Sequence, residues 1–393
     1  MVENTLEPLA YQHDVVAYLQ REEPHTWGWS ASGGLKQEVD EIRDSMLRDT
    51  YRLEQAGHAT VFEACKTAME RLGIEAPFTL YQANDGSMNA SLVYVPGEIH
   101  LVFFGPILEK LDQAQLLALM GHELSHYLLW SLGDREHYRV CRVFDHALSY
   151  ADAKPSHRET GRLLSLYTEL FADRGAAIAA GGPGPAIAVL VKVMTGLNNV
   201  DPDAYLRQAQ EVESNNGPSQ ATSHPEIYLR ARALQLWWEG DGGLAAWLER
   251  HLHGPLSIKA LDLIGQGKLT MMTRMFLARF MTEIDEGSDE ITTQLRAAFP
   301  DFGRQEEPLL DLAEIGIERI DDATRDYFVA LMFDLAMADR DATDAVMLAA
   351  AKTAAEIGAT ERLTQSADSF SVDAKLDQFH RCQHPDRDAD RKR

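Results

Sequence analysis

The sequence predicts an α+β chain that is predominantly helical, with a small β-sheet in its first third and an all-α C-terminal domain. Three observations predict this. Strand-like composition, rich in β-branched and aromatic residues, is confined to residues 78–83, 90–95 and 99–104. Apolar residues recur at helical spacing through almost all of the rest. A length of 393 residues exceeds one ordinary core at a prior of about 150 residues per domain.

Residues 36–55 and 58–72 are expected as two amphipathic helices, because Val39, Ile42, Met46 and Leu47 recur at helical spacing. The three strand candidates follow, and Pro96-Gly97 between the last two is a turn signal that predicts a hairpin. Beyond Phe104 the chain reads as helices punctuated at 181–185, 215–218, 240–243 and 299–303. The segment 215–219 has loop composition, but His224-Pro225 just after it opens another helix, so the domain boundary is placed at 253–255 instead. The expected organisation is a helical extension over 1–35, a central domain over 36–254, an all-α domain over 255–368 and a polar tail over 369–393.

Hydrophobic residues make up 45% and charged residues 25%, the profile of a soluble globular chain. The net charge of −24 opposes binding to phosphate backbones and anionic lipid, so nucleic acid is not an expected partner. Cys65, Cys141 and Cys382 are odd in number and far apart, which fits a reducing compartment better than a disulfide framework. Glu3, Glu7 and Asp14 interrupt the start of the chain, so no signal peptide is expected. The most apolar stretch, 176–194, is broken by Gly181-Gly182-Pro183-Gly184-Pro185 and by Lys192, short of the ~20 apolar residues that a spanning helix needs. A cytoplasmic protein without a membrane span is expected.

The chemistry is concentrated in one helix. Asp112 followed by Gln115 reads as a capping box, and an apolar-periodic run continues to Leu132. Within it lies His122-Glu123-Leu124-Ser125-His126. Residues four apart stack on a helix, so His122 and His126 can aim imidazole nitrogens at one ion with Glu123 beside them. Leu117, Met120, Leu124 and Leu128 form a core stripe on a neighbouring face. A catalytic zinc needs a third protein ligand and an open position. A third histidine six residues after His126 is absent, Leu132 standing there. Glu169, on a helix expected over 163–180 and four residues before Asp173, is the candidate ligand, with Glu159 a rival in more polar surroundings. Asp173 would hold the outer nitrogen of His122 and fix its tautomer. His137, His146 and His157 have no partner at ligand spacing and are read as surface residues, and Cys382 and His384 as part of the polar tail.

Taken in order, Asn89-Ala90 before a strand, His122-Glu123-x-x-His126, Glu169-x-x-x-Asp173 and His224-Pro225-x-x-x-x-Arg230 resemble the HtpX-like and CAAX-prenyl-protease-like zinc metallopeptidases of the gluzincin class. The resemblance covers roughly residues 38–234. It implies a gluzincin-type domain with zinc on His122, His126 and Glu169, Glu123 as general base and His224 beside the active site. It also implies support from Asp173 and Arg230, and Asn89 and Ala90 at the substrate-binding edge. Those relatives are often embedded in membranes, whereas neither span nor signal is expected here. In the C-terminal domain, residues 328–338 followed by 339–344 and another helix are similar to TerB-like helical domains. An EF-hand is disfavoured, since its sixth and twelfth loop positions would be Asp344 and Ala350.

The expected activity is zinc-dependent endopeptidase cleavage of cytoplasmic protein substrates, laid along a sheet edge formed by 90–95 or 99–104. The alternative is a latent or non-catalytic zinc-binding regulatory protein with His224 on the metal. A narrow processing protease shares the chemistry of the first reading. The C-terminal helical domain is the expected contact for a regulatory protein.

Overall fold

Strand propensity, helix caps and glycine breaks divide the chain as follows. The computed structural model describes residues 6–31, 35–84, 86–284, 288–304, 307–316 and 318–369. The tail expected to be polar, with Cys382 and His384, lies outside the described residues from 370 onward. Two compact units are present, Met1–Gly254 and Pro255–Arg393.

The first unit opens with α1 (Ala10–Glu22), α2 (Pro24–Ala31) and α3 (Leu35–Asp49). The sequence expectation of one helix over 36–55 is corrected here. Helix α3 ends at Asp49, and β1 (Tyr51–Arg52) pairs antiparallel with a later strand, Tyr51 opposite Gln82. A two-residue strand carries no periodicity of its own, so only its partner reveals it. Helix α4 (Ala59–Leu72) follows and ends at Gly73, whose φ of 67° is left-handed.

The three expected strands form as β2 (Phe78–Ala83), β3 (Asn89–Val95) and β4 (Glu98–Phe104). Strands β3 and β4 make the hairpin across Pro96-Gly97, while β2 and β4 run parallel, giving the order β1-β2-β4-β3. This order decides which strand can accept a peptide. Strand β3 is an edge, and β4 is paired on both sides and has no edge to offer, which corrects the inclusion of 99–104 among the docking strands.

The helices that follow are α5 (Ile107–Lys110), α6 (Gln113–Ser131), α7 (Glu136–Leu148), α8 (Pro155–Ala180), α9 (Pro183–Thr195), α10 (Pro202–Glu213), α11 (Ile227–Glu239) and α12 (Leu244–Leu248). Helix α8 begins at Pro155, well before the expected residue 163, because Pro155 sits in the first turn where its missing N–H costs nothing. Helix α6 crosses the centre of the unit. Met120 and Leu124 are fully buried with Leu80, Leu101 and Phe103 of the sheet and Ala177 of α8 in one core. At about 25 cal/mol per Å² of apolar surface removed from water, this shared core fixes α6 against both layers.

The second unit contains α13 (Leu263–Met281), α14 (Asp289–Ala298), α15 (Asp322–Ala338), α16 (Thr343–Glu356) and α17 (Thr360–Ser369). Its core gathers Phe276, Phe280, Phe328, Met332, Val346 and Ala350. Apart from a single bridge between Leu256 and Ile320, no strand pairing occurs among its described residues. No described helix is long and apolar enough to cross a membrane.

Candidate metal centre

Asp112 starts α6 by accepting a hydrogen bond from the Gln115 backbone N–H at its side chain, and the Gln115 side-chain oxygen accepts one from the Asp112 backbone N–H, closing the expected capping box. The ten residues to His122 then rise about 15 Å, carrying the histidines into the interior. Helix α8 crosses α6 at the same level, and the crossing is unusually close. A Cβ placed on Gly121 would fall 2.7 Å from the Gly175 carbonyl oxygen and overlap the Ala179 side chain, and one on Gly175 would overlap Ser125. Ser125 occupies that space while donating to the Gly121 carbonyl oxygen at 2.6 Å. Two interior glycines, each costing a helix roughly 1 kcal/mol relative to alanine, let the backbones approach.

The approach brings Glu169 of α8 onto the histidines of α6. Its Oε2 lies 3.5 Å from His122 Nε2 and its Oε1 lies 3.8 Å from His126 Nε2. One ligand atom from each of the three residues falls within 4.8 Å of the other two. Behind them, His122 Nδ1 faces Asp173 Oδ1 at 3.2 Å. Arg230 of α11 clamps Asp173 with two hydrogen bonds, Nε to Oδ2 at 2.8 Å and Nη2 to Oδ1 at 2.6 Å, and reaches Glu169 Oε2 at 3.1 Å. Glu169, Asp173 and Arg230 are all buried, so the two carboxylates share one guanidinium away from bulk water.

A metal ion fits this arrangement. Two imidazole nitrogens and one carboxylate oxygen are the donor set of a catalytic zinc site that leaves a fourth position open. Asp173 holds the rear nitrogen of His122 and so directs Nε2 forward. The buried Nδ1 of His126 has no hydrogen-bond partner.

The electrostatics separate the members of the cluster. Burial disfavours a charge on His122, but Asp173 and Glu169 outweigh it and raise its pKa to about 10. Burial lowers His126 to about 4. Burial works against ionised Glu169, yet Arg230, then His122, hold it well below the usual carboxylate range. Asp173 is lowered as well, burial again being outweighed by Arg230. Burial lifts Glu123 to about 6 against the opposing pull of His122, within the range of a working general base. The Leu92 backbone on β3 hydrogen-bonds the Glu123 carboxylate.

A cavity of about 640 Å³ opens over the cluster, lined at one end by Asn89, Ala90 and Leu92 of β3. His224 also lines it, in the loop before α11, with Nε2 3.5 Å from Glu169 Oε1 and its side chain 64% exposed. Arg162 donates to the carbonyl oxygens of Ser219 and Ala221 in that loop and pairs with Glu159 at 2.6 Å. Glu159 is thus committed to holding the loop and does not join the metal cluster.

One reading of the histidines is corrected. His137, expected at the surface, is 5% exposed, lines the cavity and keeps its Nε2 without a hydrogen-bond partner. The signal was present, since His137 stands on the α7 face of Val140 and Phe144 at helical spacing. His157 is half-buried with its Nδ1 unpartnered, whereas His146 is exposed. Gly121, Gly175 and Ser125, which set the crossing, were not singled out from the sequence.

The comparisons agree with this part of the chain. The plastoglobule-localized metallopeptidase 48 of Arabidopsis thaliana, a chloroplastic protein, is 28% identical over 189 residues, 43% of this chain and 54% of the relative. The chain therefore spans about half the length of that curated relative. No solved structure matches the chain. Residues 56–133, which contain β2, β3, β4, His122, Glu123 and His126, match the sequence model of peptidase family M48.

Proposed function

We propose that this protein is a zinc-dependent metalloendopeptidase. The observation that carries the reading is the convergence of His122, His126 and Glu169 from two helices, with Glu123 buried beside them and the edge of β3 lining the same cavity. The family match over 56–133 supports it independently.

His122, His126 and Glu169 would hold the zinc, with Asp173 and Arg230 fixing His122 and Glu169 in place. When bound, zinc supplies a Lewis acid that polarises the scissile carbonyl and acidifies water. The free edge of β3 at Asn89 and Ala90 pairs with extended peptide through backbone hydrogen bonds, which recognises a main chain rather than a sequence. Glu123 takes a proton from the attacking water at its carboxylate and passes it to the leaving amine. His224 donates a hydrogen bond toward the oxygen on which negative charge develops. Protein substrates in the cytoplasm fit the free thiols of Cys65 and Cys141, and the helical second unit serves as a contact for a regulatory protein.

The test is cleavage of unfolded casein by the zinc-loaded chain, with and without chelator. Chelator-sensitive cleavage that disappears in Glu123→Gln, with zinc content unchanged, supports the reading. Cleavage that survives that substitution removes the proposed base. A second reading is favoured by the 3.5 Å approach of His224 to Glu169, which puts an imidazole near the fourth metal position. In that latent form the parent is inert and His224→Ala releases activity.

A further inference from the structure

Resting on the peptidase reading, we propose that the cavity contains a side-chain subsite for arginine or lysine of the substrate, with Asp145 as the residue that selects it. The lining residues fall into two groups on either side of His122 and Glu123. Leu119, Val189, Leu190 and Val193 belong to the N-terminal half of α6 and to α9. The other group belongs to α7 and the first half of α8, and it is the one with a charge at its end.

On α7, His137, Cys141 and Asp145 are spaced four apart and all line the cavity, a single stripe down one face. Val140, Phe144 and Leu148 flank the stripe, and Leu164 faces it from α8. The α8 lining runs from Glu169 back through Thr168 and Ser165 to Gly161, about 12 Å along the helix. A Cβ on Gly161 would lie 2.8 Å from Leu148, so the end of α7 packs against the start of α8 at the far limit of this groove. Asp145, exposed on its face of α7, therefore stands at the open end of the groove remote from the metal cluster, beyond a stretch that includes Val140, Phe144, Leu148 and Leu164.

No ion pair or hydrogen bond occupies the Asp145 carboxylate among the described residues, and no neighbouring cation lowers its pKa. The nearby cations are engaged elsewhere. Arg139 stacks on Trp27 and donates to the Trp27 carbonyl oxygen and to Ser30, and Arg142 donates to the Ser30 carbonyl oxygen. His137, the other titratable group on this stripe that is not a thiol, is kept neutral near pH 7 by burial. A stretch of aliphatic and aromatic groups leading to an uncompensated carboxylate matches a side chain with an apolar stem and a cationic head. The net charge of −24 draws cationic peptides toward the chain in the same sense.

The experiment uses the zinc-loaded full chain and a peptide library, with casein cleavage run beside it. The expected profile places arginine or lysine at one fixed position relative to the cut. Asp145→Asn should then lower kcat/KM for those peptides at least tenfold, mainly through KM, and so narrow their advantage over neutral peptides. Asp145→Lys should move the preference toward glutamate and aspartate. Chelator-sensitive casein cleavage with no basic preference, or with a profile that Asp145→Asn leaves intact, overturns the subsite while the peptidase reading stands. If casein is uncut, acetyl-arginine amide is titrated into the zinc-loaded chain by NMR against acetyl-leucine amide. Salt-sensitive arginine binding that Asp145→Asn abolishes supports the subsite, and its absence overturns it.

Discussion

Asp173 holds the rear nitrogen of His122 at 3.2 Å while the forward nitrogen of the same ring faces Glu169 at 3.5 Å. The ring is thus aimed by one α8 carboxylate at another, one turn apart. Replacing Asp173 with Asn should leave the fold in place but free the tautomer of His122. Zinc affinity should fall about 10- to 100-fold, the usual range for loss of such a partner, as read by competition with a chromophoric chelator. Unchanged affinity would mean that the aiming contact has no role in metal binding.

Arg230 is the common cation of Asp173 and Glu169, and all three are buried. Removing one partner of a buried pair leaves uncompensated charge, at a cost of about 3–5 kcal/mol. Arg230→Leu should therefore shift the denaturant midpoint of the zinc-free chain sharply downward. Adding Asp173→Asn to that variant should recover part of the loss, because one of the stranded charges is then gone. A midpoint equal to the parent's would show that the clamp contributes nothing net.

The α6–α8 crossing makes a separate prediction. Gly175→Ala forces a methyl into Ser125, and Gly121→Ala forces one toward Ala179 and the Gly175 carbonyl. Either should move α8 outward and carry Glu169 off the histidines, so zinc binding should weaken together with thermal stability. Ser125→Ala with Gly175→Ala should restore part of both, since the overlap is relieved. Failure of the double variant to recover would place the fault elsewhere.

His137 contributes to stability in a pH-dependent way. Its folded pKa is held near 4 by burial, below the unfolded value of about 6.5. The unfolded chain therefore takes up a proton first, so this contribution is complete above pH 6.5 and declines as pH falls toward 4. Equilibrium unfolding at pH 7.5 and pH 5 should show a smaller acid loss in His137→Phe than in the parent. An identical loss would mean that His137 is solvated in the folded state.

Much of the site is legible in the sequence because its signals are local. The Asp112 cap, the four-residue spacing of His122 and His126 and the four-residue spacing of Glu169 and Asp173 all follow from one helical period. What escapes is set by distant packing. Strand β1 is visible only through its pairing with β2, and β4 loses its edge only because β2 lies parallel to it. The polar surroundings of Glu159 put the expected start of the helix at residue 163 until Pro155 is seen to start α8, and His137 looks superficial until α7 is laid over the cavity. Gly121 and Gly175 carried a readable cost in helix propensity, but the reason for it lies in the other helix.

The central claim is that two helices hold a single zinc through His122, His126 and Glu169. Zinc K-edge absorption, measured on the loaded chain and on Glu169→Ala, tests it most directly. The account predicts one zinc per chain with two imidazole nitrogens and one carboxylate oxygen at about 2.0–2.2 Å, the oxygen shell being altered in the variant. A first shell that Glu169→Ala leaves untouched, or the absence of stoichiometric zinc, would contradict it.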